Sequence, residues 1–311
     1  MKHTVKVTII LIGLFLLTQI VGLATVSKYI QVGVSDTGET VITHEDTVVG
    51  PQPEIEEKDY SAIFIIIAVL VGTGIVLLLM HLKLGHFWKI WFFVAVFLTL
   101  SISFDVYIAR VYAVVLALVL ALMKTIRPNV YVHNFTEIFV YTGITIIILP
   151  YLNVVSAISL LVLISIYDMY AVWKSKHMIK LAKFQTQSKV FAGLMLNYGA
   201  QKKEEKVVKK EAKKEVSKKT KVVVKQKSAI LGGGDVAFPL MFSAAVMESL
   251  IFDGFTKQVA FLQSLIITLF VAIALWLLFI KSEKDKFYPA MPFLSAGCLV
   301  GYGIILLINL I

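Results

Sequence analysis

Two aspartates stand in stretches that are otherwise apolar: Asp168, within Ile166-Tyr167-Asp168-Met169-Tyr170, and Asp235, which closes Gly232-Gly233-Gly234-Asp235. A carboxylate in hydrocarbon costs at least about 2.5 kcal/mol, so each needs a partner, a water-filled cavity or a task. Two carboxyls facing each other in a water-accessible, low-dielectric site cannot both ionise cheaply, so one pKa rises and the pair tends to hold a single proton. Such a pair can hydrolyse an amide. The ionised member takes a proton from water as general base, while the protonated member polarises the carbonyl and then protonates the leaving nitrogen. Apparent pKa values belong to the pair, so acid and base are not assigned to individual residues.

Two further motifs have a physical reading. The triple glycine lets another backbone approach the Asp235 carboxyl and tolerates non-helical geometry. No Lys-Ser/Thr follows it, which argues against a phosphate loop. In Tyr288-Pro289-Ala290-Met291-Pro292, two prolines three apart interrupt helical hydrogen bonding and leave carbonyls for water, protein or substrate. Gly297-x-x-x-Gly301 reads as a close helix contact. The histidines form no His-Glu-x-x-His, and the combination of an in-membrane Gly-x-Ser nucleophile with a membrane histidine is absent. Cys298 is the sole cysteine, which excludes an internal disulfide, a four-cysteine zinc site and a Cys-x-x-Cys pair. Neither a metal nor a cofactor is expected.

The elements that must position these residues follow from composition. With 58% hydrophobic and 16% charged residues in 311, and a mean hydropathy of +0.84, the chain is an integral membrane protein. Apolar runs long enough to cross hydrocarbon number nine: Val5 to Val26, Ser61 to Met80, Phe87 to Phe104, Val106 to Met123, Phe135 to Leu152, Val154 to Trp173, Ile230 to Phe252, Val259 to Ile280 and Tyr288 to Ile311. The first could instead be a cleaved signal peptide, although its apolar core exceeds the usual length. Of the 30 Lys and Arg, 26 fall on one side, 17 of them lysines from Lys174 to Lys227; the Ser27 to Tyr60 segment holds eight acids. This all-α polytopic chain is therefore read as N-terminus inside and C-terminus outside, in a six-plus-three arrangement.

Residues 1–173 form the six-span part with Asp168, 174–229 a lysine-rich connection expected to be largely disordered, and 230–311 the three-span part with Asp235. Helical rise places the two carboxyls about 9 and 12 Å inside the basic boundary, at similar depth. The basic excess matches anionic lipid, and the absence of aromatic interleaving argues against nucleic acid. Arg110, near the outer end of its span, reads as a partner for Asp105, and Glu137 and Glu248 as interhelical polar groups. Phe191 to Leu196, apolar within the polar connection, reads as a surface-lying helical turn or as a self-cleaved or occluding segment.

Tyr167-Asp168, Gly232-Gly233-Gly234-Asp235, Pro289-Ala290-Met291-Pro292 and the long hydrophilic connection between spans six and seven together resemble the presenilin and signal peptide peptidase family of intramembrane aspartyl proteases. Met291 stands where that family has Leu in its Pro-Ala-Leu motif. The compact connections look like those of a microbial, archaeal-type presenilin homologue, which implies a cell-membrane location. The resemblance implies that Asp168 and Asp235 are catalytic and that Tyr167, Gly232, Gly233, Gly234, Pro289, Ala290, Met291 and Pro292 meet substrate. It also implies cleavage within transmembrane segments of other membrane proteins, unwound near the inner face and paired as a strand beside the catalytic span; Lys221 to Lys225 is the candidate edge strand. A homo-oligomer is compatible with this reading. The second reading is a cation channel or leak pathway using the same carboxylates.

Overall fold

The computed structural model describes residues 5–34, 40–51, 58–82, 84–127, 129–175, 191–206, 221–282 and 288–310. Within these the chain runs α1 (Val5–Tyr29), β1 (Ile30–Val34), β2 (Thr40–His44), α2 (Ser61–His81), α3 (Gly85–Asp105), α4 (Arg110–Ile126), α5 (Val130–Ile148) and α6 (Val154–Met169). It continues with β3 (Gly193–Lys206), β4 (Lys221–Gly232), α7 (Gly233–Phe252), α8 (Lys257–Lys281) and α9 (Met291–Leu310). Among the described residues eight helical segments are long and apolar enough to cross a membrane, and α4, at 17 residues, is just shorter. Most of these helices carry no polar face: they are apolar all round because lipid or other helices surround them.

The central helix is α7, which packs against α1, α5, α6, α8 and α9. Its most apolar window is 78% buried against 6% for α2, so α7 is enclosed by protein and α2 lies at the rim. Small residues set the tightest contacts. A Cβ on Gly301 would lie 2.6 Å from Ile267 Cα and one on Gly297 3.0 Å from Val271 Cα, so the two glycines bring α9 onto α8 as their spacing predicts. Leu240 of α7 fills the notch left by Gly22 on α1.

Chain alternation brings the C-terminus of α6 and the N-termini of α7 and α9 to one end of the bundle. Lys124, Lys174 and Lys281 close their helices at that end. At the opposite end Asn153 and Ser156 form a reciprocal capping box that starts α6, and the Asn153 amide also bonds Asp59. That cap fixes the phase of α6, so Asp168 is delivered 14 residues, or about 21 Å, further along. The other end of α7 stops at Gly254 (φ +94°), where the Gly254 and Phe255 amides bond the Ile251 and Leu250 carbonyls in a Schellman turn.

Three expectations are corrected. Residues 106–109 form a turn and α4 starts at Arg110, which donates to Asp105 Oδ2 at 3.4 Å and to the Asp46 carbonyl at 3.0 Å. Within the connection, expected to be largely disordered, the described residues hold an antiparallel pair, β3 with β4, in the register Gly193↔Gly232, Leu194↔Leu231, Met195↔Ile230 and Leu196↔Ala229. Residues 176–190 and 207–220 of that connection lie outside the description. The apolar Phe191 to Leu196 segment is thus mostly strand, with Leu194 buried against Leu231. Because Lys221–Gly232 is strand, α7 begins at Gly233 rather than Ile230, and the helical rise used to place Asp235 relative to Lys227 does not apply there.

Candidate active site

Asp168 lies in the last turn of α6, 5% exposed, two residues before the helix widens into a π-turn over Tyr170–Lys174. Single π-turns gather at functional positions because they re-aim side chains. Asp168 Oδ2 accepts the Met291 amide at 3.1 Å. The carboxyl therefore caps the N-terminus of α9. The first amides of a helix have no intrahelical partner, so Pro292 at the second helical position forfeits nothing, while Met291 supplies the free N–H. Free carbonyls are the sequence-based expectation for the Pro-Ala-Met-Pro motif; what it offers Asp168 is an amide. Its backbone makes this contact, whereas the Met291 side chain is buried in the core.

Asp235 is the third residue of α7, the position from which a carboxyl turns back toward the N-cap residue, here Gly232. Both acids thus sit at the positive ends of helices, Asp235 on its own and Asp168 on α9. Helices α6 and α7 pack together, which brings the two acids to the same end of the bundle. Pro239 follows Asp235 by four residues and has no N–H, so the Asp235 carbonyl is released from helical pairing at the same place. The sequence displays Pro239 openly, but its meaning needs the start of α7 to be known.

Each glycine of the turn has its own neighbour. A Cβ on Gly232 would lie 3.1 Å from Asp235 Oδ2, and one on Gly233 would lie 3.0 Å from the Tyr141 hydroxyl. Gly234 is exposed, and a Cβ there would make only ordinary contact with Phe238 of its own helix. The Tyr167 hydroxyl donates to Thr73 Oγ1 of α2 at 3.4 Å. Ala290 packs half-buried against the core and Pro289 precedes it. Ser165 and Ser295, with hydroxyls 2.9 Å apart, tie α6 to α9 one turn from Asp168.

The other intramembrane charges lie apart. At the far end Glu248 accepts from His44 at 3.0 Å and Lys58 at 3.4 Å. On the site side, Lys124 and Glu137 form an ion pair whose side chains are 2% and 1% exposed. Glu137 also accepts from the Tyr141 hydroxyl and, at 3.0 Å, from the Gly193 amide. The sequence alone presents Lys124 as an inner flank and Glu137 as an interhelical group. Their occurrence on consecutive spans is the available signal; the link to Gly193 is not legible there.

The family model described as signal-peptide peptidase, presenilin aspartyl protease matches residues 12–311. Among curated proteins, none matches the chain. Two solved structures of a presenilin family intramembrane aspartate protease, in the P2 and C222 space groups, share the fold. The first has a TM-score of 0.58 at 16% identity, covering 96% of each chain. The second has a TM-score of 0.54 at 14% identity, covering 95% of this chain and 94% of the other. At such identities the structures speak for the fold, and the family rests on the match over nearly the whole sequence: the chain belongs to the signal-peptide peptidase and presenilin family of aspartyl proteases.

Proposed function

We propose that Asp168 and Asp235 are the two carboxyls with which this intramembrane aspartic endopeptidase activates water. The observation that carries the reading is their convergence: two acids 67 residues apart in sequence reach one end of the bundle, each at the start of a helix, Asp168 accepting the Met291 amide of α9 and Asp235 in the first turn of α7. One carboxyl takes a proton from the attacking water while the other, protonated, polarises the scissile carbonyl; the proton then passes to the leaving nitrogen. The starts of α7 and α9 orient the carboxyls before substrate arrives, so little reorganisation is needed during the reaction.

Substrates are transmembrane segments of other membrane proteins. Their backbone must leave helical geometry before a carbonyl can be attacked, and β4, which runs directly into the Asp235 turn, is suited to receive it as an added strand. The side chains of α5 already occupy the outer edge of β3 at Gly193 and Met195, so the edge of β4 is the one left for an incoming strand. The bare backbone of exposed Gly234 then lies beside the scissile bond, and the Pro289 to Pro292 segment holds Asp168 on the other flank. The six-plus-three division, the inside N-terminus and contact of the lysine-rich connection with anionic lipid belong to the same reading, supported by the lysines that close α4, α6 and α8 at the end where the acids lie.

The test is cleavage of a single-span substrate by purified protein, with Asp168→Ala and Asp235→Ala compared with wild type. Each substitution alone should abolish product, because one carboxyl cannot serve both proton transfers. Near-wild-type product from either variant overturns the assignment. No observation favours the cation-channel reading.

A further inference from the structure

We propose that Lys124, His133, Glu137 and Tyr141 form a buried positioning site for the hydrolytic centre, one that fixes the backbone at Gly193 and, through the Gly193–Gly232 strand pair, the turn that presents Asp235. The inference rests on the catalytic reading of Asp168 and Asp235.

A buried ion pair is not a cheap source of stability. Desolvating two charges costs about as much as their attraction returns, and well-packed apolar residues usually do as well. Lys124 and Glu137 nevertheless stand almost fully buried between α4 and α5, with Lys124 Nζ also donating to Thr136 Oγ1 at 3.1 Å and lying 5.6 Å over the Phe92 ring. What distinguishes the pair is the use made of the carboxylate. One Glu137 oxygen is held by Lys124, leaving the other to accept the Gly193 amide and the Tyr141 hydroxyl. His133 Nε2 donates to the Gly193 carbonyl at 2.7 Å, so both backbone polar groups of Gly193 are taken by side chains of α5. One turn away Asn134 repeats the pattern: its amide nitrogen donates to the Met195 carbonyl at 2.7 Å and its oxygen accepts the Met195 amide at 2.9 Å.

The alternation matters. In a strand the N–H and C=O of residues i and i+2 point to the same side, so Gly193 and Met195 face α5 while Leu194 and Leu196 face β4. Helix α5 thus serves as a surrogate strand, and it grips β3 where β3 meets the catalytic turn. Gly193 opposes Gly232, which lies against the Asp235 carboxyl so closely that a Cβ on it would sit 3.1 Å from Asp235 Oδ2. A second contact closes the circuit, since the Tyr141 hydroxyl bound to Glu137 lies against Gly233 closely enough that a Cβ there would sit 3.0 Å away. Glu137 is therefore a positioning residue, and two routes connect it to the backbone that carries Asp235.

Two double variants separate positioning from mere stability, because both remove the buried charge pair. Lys124→Met with Glu137→Gln keeps a side-chain oxygen for the Gly193 amide; Lys124→Met with Glu137→Leu does not. The Gln version should keep kcat within about threefold of wild type, whereas the Leu version should lose about 30-fold or more in kcat with KM changed less than about threefold, as small displacements of reacting groups do. Amide exchange at Gly193 and Leu194 should rise in the Leu version alone. If the Leu version does not fold, Asn134→Ala, at a half-buried position, should still lower kcat about tenfold by releasing Met195. Equal kcat in the two double variants, or a loss confined to KM, overturns the proposal, as does an Asn134→Ala enzyme with wild-type kcat. Asp168→Ala and Asp235→Ala run in the same assay: if they retain activity the catalytic reading fails, and if they are inactive while the double variants match, only the positioning proposal fails.

Discussion

Replacing Gly193 by Ala should injure catalysis without touching either aspartate. Gly193 has φ +150°, a region that L side chains rarely adopt, and a Cβ built there would lie 2.4 Å from the Leu231 carbonyl oxygen and 2.3 Å from the Phe191 ring. The ring can rotate away; the Leu231 carbonyl belongs to β4 and can move only if the strand pair opens. Backbone strain at such a position costs about 1–3 kcal/mol, and forcing an extra carbon into a filled space costs about 1–3 kcal/mol more. If the hairpin start absorbs about 3 kcal/mol, its closed form is depopulated by roughly a hundredfold relative to open forms. The assay is hydrogen exchange at Leu194 and Leu231 followed by steady-state cleavage of a single-span substrate. Exchange should accelerate at both positions, and kcat/KM should fall by at least about tenfold. Gly13→Ala, where nothing lies within 4 Å of the new carbon, is the control and should leave both unchanged. A Gly193→Ala protein with wild-type exchange and wild-type cleavage would refute the argument that the β3–β4 junction supports the Asp235 turn.

The remaining predictions concern neighbouring contacts. Met291→Leu should keep activity within about threefold, because Asp168 uses the backbone amide of residue 291, whereas Met291→Pro removes a hydrogen bond to a charged group worth about 1.5–3 kcal/mol and should lower kcat/KM by about tenfold or more. Lys124→Met alone strands the Glu137 carboxylate in the core and should cost about 3–5 kcal/mol, read as a lowered unfolding midpoint in detergent. Gly301→Ala would set a carbon 2.6 Å from Ile267 Cα and should destabilise by about 1–3 kcal/mol, whereas Gly303→Ala, two residues on and with open space, should be neutral or stabilising.

The parts of this molecule that repeat at the length scale of a bilayer are legible in its sequence. Runs of about 20 apolar residues have one structural solution in hydrocarbon, so the helices, their alternation and the side bearing the lysines follow from counting. Asp168 and Asp235 stand out in the sequence for a related reason: a charge that remains in an apolar run needs a partner, a cavity or a use. The connection misleads because Lys, Glu and Val at Gln201 to Lys227 show no helical period, and period-two alternation in a short charged segment is a weak signal. Strand pairing there depends on the partner at Gly193, which only the fold brings alongside. Tyr167 is next to Asp168 in sequence, but one residue turns a helix by about 100°, and its hydroxyl reaches Thr73 on α2, a contact that no sequence pattern marks. The Glu137 network stays hidden because its ligand is a backbone amide, and an amide carries no mark in a sequence.

Whether the two aspartates act as one unit is open to direct measurement by a double-mutant cycle in kcat/KM with Asp168→Asn, Asp235→Asn and the pair combined. Asn preserves size and an acceptor oxygen for the Met291 amide, so the fold should survive and the change should report on protons alone. If both carboxyls serve one proton-transfer cycle, each single variant should lose at least about a thousandfold and the double variant should be little worse than either single one. A single variant that cleaves at near the wild-type rate, or losses that multiply in the double variant, would contradict the account.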